Sequence, residues 1–308
     1  MDDDTRLELL RLDLLDAWPR ARAVRTRRAR MRRAVPSGAA LLVAAAIATV
    51  FLLRPSTDTA AAARALHQFA AKAAAQPGLH LQPGQYWYVR TVALERQNES
   101  RLAPPDVVVH EQWMARDGSG RIRIVRAGKL FDSQQPAGSM MIPFGSRSLT
   151  WAELDGLPTD TDLLQKLVED AAVRNSWPLA YQEFDLIGEL LRNAPVSPTV
   201  AKGLYEVLAR LPGVTLEGRV TDGLGRSGLA VSIAGGPTRA VLVVDPVTGG
   251  LLATEEIAPG NAKVTSRFVA LDPTTGKVLV AADSEPSNIL YAETLAATGV
   301  VASTEARP

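Results

Sequence analysis

Hydrophobic residues change period several times along the chain, and each change marks a boundary. Leu7, Leu10, Leu14 and Trp18 recur at three- and four-residue spacing, which puts them on one face of a short amphipathic helix. Asp2, Asp3 and Asp4 stand before it and arginines follow, as the helix dipole prefers. Residues 37–53 (SGAALLVAAAIATVFLL) then carry no charge. As a helix they would extend about 26 Å, the short end of a membrane span. Arg54 and Pro55 stop that run. Residues 58–75 are alanine-rich with Leu66 and Phe69 as their larger apolar groups, which predicts a helix ending at Gln76-Pro77-Gly78.

Beyond residue 84 the period falls to two. Residues 85–93, 106–115 and 121–125 predict strands, and in the middle one Val107, Val109, Glu111 and Trp113 share a face while Val108, His110, Gln112 and Met114 share the other. Asp117-Gly118-Ser119-Gly120 reads as the hairpin turn between the last two. Residues 127–150 mix Gly, Pro and Ser with Leu130, Phe131, Met140, Met141, Ile142 and Phe144. A loop so apolar either lies on the sheet or forms a lid over an apolar cavity. Helices follow at 161–175, capped by Thr159 or Asp160, at 181–192, and at 199–210 after Ser197-Pro198. Strands then return at 214–221, 229–234, 239–244, 251–257, 264–271 and 278–281. The sequences Asp245-Pro246-Val247-Thr248-Gly249 and Asp272-Pro273-Thr274-Thr275-Gly276 give two hairpin turns, with Pro presetting φ and Gly accepting a left-handed conformation. Strands, then helices, then strands predict an α+β fold, a curved antiparallel sheet covered on one face by helices.

Charge sharpens the division. Residues 1–36 hold ten arginines against six acids, net +4, and the remaining 24 basic and 27 acidic residues give net −3. Arg20, Arg22, Arg25, Arg27, Arg28, Arg30, Arg32 and Arg33 cluster immediately before the apolar run, and no acid lies between Asp16 and Asp58. A buried core helix rarely follows such a cluster, and a cleaved signal peptide has a much shorter basic region, although Thr59-Ala60-Ala61-Ala62-Ala63 offers small residues for cleavage. An uncleaved single-pass anchor accounts best for both features. The arginines then keep residues 1–36 in the cytoplasm and send the rest outside. The domains expected are thus a cytoplasmic tail (1–36), a transmembrane helix (37–53), a helical juxtamembrane stalk (54–78) and an extracytoplasmic α+β domain (79–308). A cluster against a span serves topology and anionic headgroups, so nucleic acid is not an expected partner and the lipid bilayer is. The face formed by Leu7, Leu10, Leu14 and Trp18 would bind a cytoplasmic protein or lie on the inner leaflet.

Candidate chemistry is sparse. The chain has no cysteine, which removes disulfides, thiolate nucleophiles, Cys-ligated zinc and lipid-modified cysteine. His67, His80 and His110 show no paired metal spacing, so no cofactor or metal is expected. Gly223, Gly225 and Gly228 match GxGxxG, but a strand follows where a phosphate-binding loop needs a helix, so they read as a turn. Glu255 and Glu256 are neighbours on a strand and point to opposite faces. Asn98-Glu99-Ser100 forms a glycosylation sequon by composition alone. No catalytic constellation emerges, and the expectation is a non-enzymatic protein.

An arginine-rich inner tail, a single span, Leu157-Pro158-Thr159-Asp160, Leu211-Pro212-Gly213-Val214, the turn from Asp222 to Gly228, the hairpin at 244–249 and Gly299-Val300-Val301 together resemble an uncharacterised actinobacterial family. Its members are single-pass proteins often encoded beside extracytoplasmic-function sigma factors. Six lysines against 28 arginines fit a high-GC genome. The outer part also resembles the lipoprotein-carrier (LolA/RseB-like) fold, a half-barrel sheet wrapped over helices. The resemblance implies a membrane-tethered sensor or binding protein linked to sigma-factor regulation, with a sigma factor as an inner partner. Outside it implies an envelope protein or, in the alternative reading as a tethered lipid or lipoprotein carrier, an apolar ligand held in the half-barrel. It carries over no catalytic residue.

Overall fold

The alternation in residues 85–126 becomes three antiparallel strands, β1 (Tyr86–Glu95), β2 (Asp106–Met114) and β3 (Gly120–Arg126), and β4 (Lys129–Gln135) adds to them. The computed structural model describes residues 55–95, 106–172, 177–235, 238–257, 270–271, 278–280 and 289–308. All of them belong to one compact unit, Arg54–Val173 with Trp177–Pro308. The expected cytoplasmic tail, its arginine cluster, the span at 37–53, the sequon and the turn at 272–276 lie outside the described residues. Among the described residues no helix is long and apolar enough to cross a membrane.

After a two-stranded hairpin, β5 (Ile142–Phe144) with β6 (Arg147–Leu149), and a helical stretch, a second meander forms from β7 (Thr215–Thr221), β8 (Ser227–Gly235), β9 (Thr238–Val244) and β10 (Leu251–Ile257). A short pair, β11 (Ala270–Leu271) and β12 (Val278–Val280), stands apart from that sheet. The last strand, β13 (Ile289–Val301), is antiparallel to both β1 and β10 and joins the two meanders into a nine-stranded sheet of order β4-β3-β2-β1-β13-β10-β9-β8-β7. Register shifts interrupt the pairing at Arg90/Thr91 against β13, at Leu251/Ala253 in β10 and at Leu216/Gly218 in β7. Such bulges bend and twist the strands that carry them, which suits a curved sheet.

Helices cover one face. These are α1 (Pro55–Ala74), α2 (Trp151–Asp155), α3 (Thr161–Ala171), α4 (Leu179–Asn193) and α5 (Pro198–Arg210). Asp160 caps α3, its side chain accepting from the backbone N–H of Asp162 and Leu163, and Ser197 caps α5 with Pro198 at its first turn. The single turn of α2 has a full capping box between Thr150 and Glu153. Phe184, Ile187 and Leu190 of α4 and Leu204 and Leu208 of α5 are wholly buried in the helix–sheet core. Each contributes about 1.5–3 kcal/mol by leaving water. Gly188 admits α4 close to the sheet, because a Cβ there would stand 2.6 Å from Leu242 Cδ2.

Two expectations are corrected. Residues 54–78 are not a stalk standing off the domain: Ala62, Leu66, Phe69 and Ala70 of α1 are fully buried in the same core, against α5 and β7. An alanine-rich face is slender enough to lie close on a neighbouring helix. Tyr205 of α5 meets Phe69 edge-on and donates to the Gly249 carbonyl at 2.8 Å. Residues 127–150 are not a loop either, since they supply β4, β5 and β6.

The turns form as their residues predict. Asp245 accepts from the Val247 N–H and the Thr248 hydroxyl, and Gly249 takes φ +73°. The GxGxxG stretch is a turn between β7 and β8, organised by the buried Asp222, which accepts from the N–H groups of Leu224 and Arg226 and from the Arg226 guanidinium. Arg226 then donates to the carbonyls of Leu252, the residue skipped in the β9–β10 register, and Leu295, which pairs with Thr91 of β1 but lies just past the last β10–β13 pair.

Candidate functional site

On the sheet face away from the helices, alternation and register assemble a polar and aromatic cradle across β1 to β4. Tyr88 stands opposite Trp113, Arg90 opposite Glu111, Glu111 opposite Arg123, Trp113 opposite Arg121, and Arg123 opposite Asp132. The Tyr88 and Trp113 rings lie 5.0 Å apart between centroids, and the Tyr88 hydroxyl donates to Glu111 Oε1 at 2.7 Å. Arg121 grips Asp132 with two hydrogen bonds of 2.7 Å.

Residues 302–308 lie over this cradle. Trp113 Nε1 donates to the Ala306 carbonyl at 2.8 Å, and Arg307 donates to both oxygens of Glu111, at 2.6 and 3.1 Å. Arg121 reaches the Thr304 carbonyl and pairs with the Glu305 carboxylate. Arg121 and Arg307 each stand 5.6 Å from the Trp113 ring centre, within cation–π range. Gly299 lets the segment return closely, since a Cβ there would sit 2.9 Å from Pro308 Cγ.

The electrostatics follow from this packing. Burial pushes the Glu111 carboxyl up, but hydrogen bonds from Arg307 and Tyr88 and the charges of Arg307 and Arg90 outweigh it, leaving its pKa below the usual range. Tyr88 is pushed up by burial and by its bond to Glu111, so its hydroxyl remains a donor. The Arg307 pKa is raised by its bonds to Glu111. Two nitrogens of Arg90, Nε and Nη2, and Nε of Arg123 are buried without a hydrogen-bond partner. The cradle thus offers a buried acid for a guanidinium, an indole donor for a backbone carbonyl, and arginine donors for a carboxylate.

A second polar cluster lies on the helix-covered face. Arg192, in the last turn of α4, pairs with Glu293 of β13 at 3.1 Å and donates to Thr254 Oγ1 of β10 at 2.6 Å, while Tyr291 donates to Glu293 at 2.5 Å. Burial alone would raise the Glu293 pKa; the Arg192 charge and the donors around it bring it below the usual range. His110 of β2 sits nearby, its pKa lowered by ring burial and by Arg192 against the opposing pull of Glu293. This cluster ties the end of α4 to the middle of the sheet. Among the described residues no group of three or more His, Asp or Glu is arranged to hold a metal ion.

The expected lid residues are not brought together. Met140, Ile142 and Phe144 are buried in the helix-side core, Phe131 is half-buried on β4, and Leu130 and Met141 are exposed. Leu7, Leu10, Leu14, Trp18 and the arginine cluster lie outside the described residues. A cavity of about 470 Å³ opens at the surface beside α2 and α3, where Leu157, Leu163 and Leu167 meet Arg147 and Lys166. Between helices and sheet Phe184, Ile187, Leu204 and Leu208 are fully buried. Sequence reasoning placed Glu111 and Trp113 on one strand face but missed their role. An acid and an indole among valines was the available signal.

No family model matches the chain, and no curated protein matches it. Solved structures that match include a crystal structure of MucB in complex with MucA(peri), at 12% identity and TM-score 0.29, covering 78% of this chain and 56% of that one. A Pseudomonas aeruginosa MucA/MucB complex also matches, at 12% identity and TM-score 0.26, covering 79% and 58%. The chain spans less than two thirds of the length of these solved chains.

Proposed function

We propose that the chain is a non-enzymatic, membrane-anchored sensor or binding protein whose extracytoplasmic α+β domain takes up polypeptide on the sheet face away from its helices. One observation carries this reading: that face already holds a stretch of polypeptide, residues 302–308, through a carbonyl on the Trp113 indole and an arginine on the buried Glu111. The polar groups of that face, the Glu111 carboxylate, the Trp113 indole N–H and the Arg121 guanidinium, match polypeptide better than lipid. Regulation of an extracytoplasmic-function sigma factor, the role implied by the family resemblance, would pass through residues 1–36.

Topology is testable because the chain has no native cysteine. A single cysteine at Val247, 73% exposed, should react with a membrane-impermeant maleimide in intact cells, whereas one at Ala21 should react only after permeabilisation. The reverse pattern, or protection of both, would remove the anchored reading. For the regulatory role, residues 1–20 and the outer domain are deleted separately. Unchanged transcription of the neighbouring sigma-factor regulon in both strains would remove it.

A further inference from the structure

Segment 302–308 is held differently from every strand beneath it. Its single internal backbone bond runs from Ala306 N–H to the Ser303 carbonyl at 3.2 Å, and it adds no rung to the sheet. Ala302, Ser303, Glu305, Arg307 and Pro308 are exposed, yet Trp113, Tyr88 and Glu111 beneath them are at most 2% exposed. A segment fixed by side-chain contacts at the surface opens at lower cost than the sheet does. Opening it would take Arg307 from Glu111, which keeps only the Tyr88 hydroxyl and Arg123 at 3.9 Å, and would leave Trp113 Nε1 to water, so the two-pronged arginine contact and the indole bond are made only when a polypeptide of matching chemistry fills the cradle.

The site therefore specifies its occupant. Glu111 requires an arginine that binds in the two-pronged manner of Arg307, Trp113 requires the carbonyl of the residue before it, and Arg121 requires an acid one position earlier. Arg123 already faces Asp132 and Glu111 at 3.9 Å, whereas two buried nitrogens of Arg90 have no hydrogen-bond partner and are donors that segment 302–308 leaves unused. A partner that adds a carboxylate there gains over the resident segment.

We infer that residues 302–308 act as a built-in competitor, and that the partner is an envelope polypeptide presenting an acid–small–arginine stretch, with a further acid for Arg90, that displaces them from the cradle. The inference rests on the reading of the domain as a polypeptide binder and adds the occupant's chemistry and its regulation.

The test uses full-length chain in detergent and a fluorescent peptide of residues 302–308, read by anisotropy. A variant lacking 304–308 should bind the peptide saturably, and the intact chain should bind it at least about tenfold more weakly, because a tethered competitor acts at an effective concentration near millimolar. Peptide with its arginine replaced by glutamine should not bind, and Glu111→Gln in the truncated chain should abolish binding. Adding a second acid to the peptide should tighten it, and Arg90→Gln should cancel that gain. If the truncation misfolds, as judged by circular dichroism, the full-length double variant Glu305→Ala/Arg307→Ala replaces it. A folded variant that binds no peptide, or an intact chain that binds equally well, overturns the inference. Peptide-sensitive dimers of the intact chain would also overturn it, by showing exchange of the segment between copies. Maleimide labelling at Val247 is read independently, so a failed peptide titration with correct labelling rejects the inference and leaves the anchored reading standing.

Discussion

Replacing Arg192 with methionine isolates the buried ion pair that fastens α4 to the sheet. Methionine keeps most of the aliphatic stem and removes the guanidinium, leaving the Glu293 side chain, 2% exposed, without its countercharge and Thr254 without its donor. Breaking one side of a buried pair costs about 3–5 kcal/mol. At about 2–4 °C per kcal/mol for a domain of this size, the melting midpoint should fall by roughly 10 °C. The pH dependence gives a sharper signature. In the native chain the Glu293 pKa is depressed, so its contribution is present above the unfolded-state carboxylate pKa and is lost as pH falls through the folded one. Without Arg192 burial dominates and the pKa rises above the unfolded value, so the variant should gain stability relative to the native chain as pH falls from 7 toward 5. His110, Tyr291 and Glu256 face the same space. Losing Arg192 also relieves the depressed His110 pKa, which adds to the relative gain on acidification. Urea melts across that pH range decide the matter. A loss below about 1 kcal/mol, or parallel pH curves for the two proteins, would refute the assignment of Glu293 as a buried carboxylate dependent on Arg192. The double variant Arg192→Met/Glu293→Leu should recover most of the loss, because no buried charge remains.

Three other substitutions test separate parts of the argument. Gly120→Ala would place a Cβ 1.8 Å from the Trp113 carbonyl, so it should cost at least about 2 kcal/mol in denaturant melts and alter the near-ultraviolet signal of the aromatic pair. Asp222→Ala removes the acceptor for two backbone N–H groups and for Arg226, and should destabilise by about 2–4 kcal/mol. The Glu183 carboxyl is pushed up by burial and by the charge of Glu169, which means that stability declines as pH rises through its titration. Glu183→Gln should therefore stabilise the chain at pH 7 and change nothing near pH 3, and equal stability at both values would count against that burial.

Most strands were legible because one side of each faces an apolar core and the other does not, as with Val107 to Met114 in β2. The strand that joins the sheet was not. In β13 the residues Ala292, Ala296 and Ala297 have low strand propensity and mimic a helical composition, and the strand holds its place through neighbours distant in sequence, β1 and β10. The turn of α2 is written as Thr150-Trp151-Ala152-Glu153, a capping box that begins at the last residue of the stretch read as loop. The stretch 127–150 was hard to read for a related reason: apolar residues in a glycine- and proline-rich stretch looked exposed, whereas β5 and β6 turn Ile142 and Phe144 into the core. Half of the cradle was visible as Glu111 and Trp113 on one strand face. The other half depends on residues about 190 positions later, a juxtaposition that no local pattern encodes.

That juxtaposition follows from β13 itself. Its early residues alternate Glu293 toward the helices, where Arg192 waits, and Ala292 and Thr294 toward the other face. The register shift opposite Arg90/Thr91 accommodates an extra residue at Ala296, and the strand then runs on past the start of β10 with β1 as its remaining neighbour. Arg226 satisfies the carbonyl of Leu295 exposed by this change of partner. From there Gly299 and Val301 approach the Tyr88 and Trp113 side, and the chain turns at Ser303 onto the cradle. A strand without the bulge would send every later side chain to the opposite face and carry residues 302–308 away from Glu111. The same strand therefore pins α4 on one side of the sheet and delivers the polypeptide segment to the other.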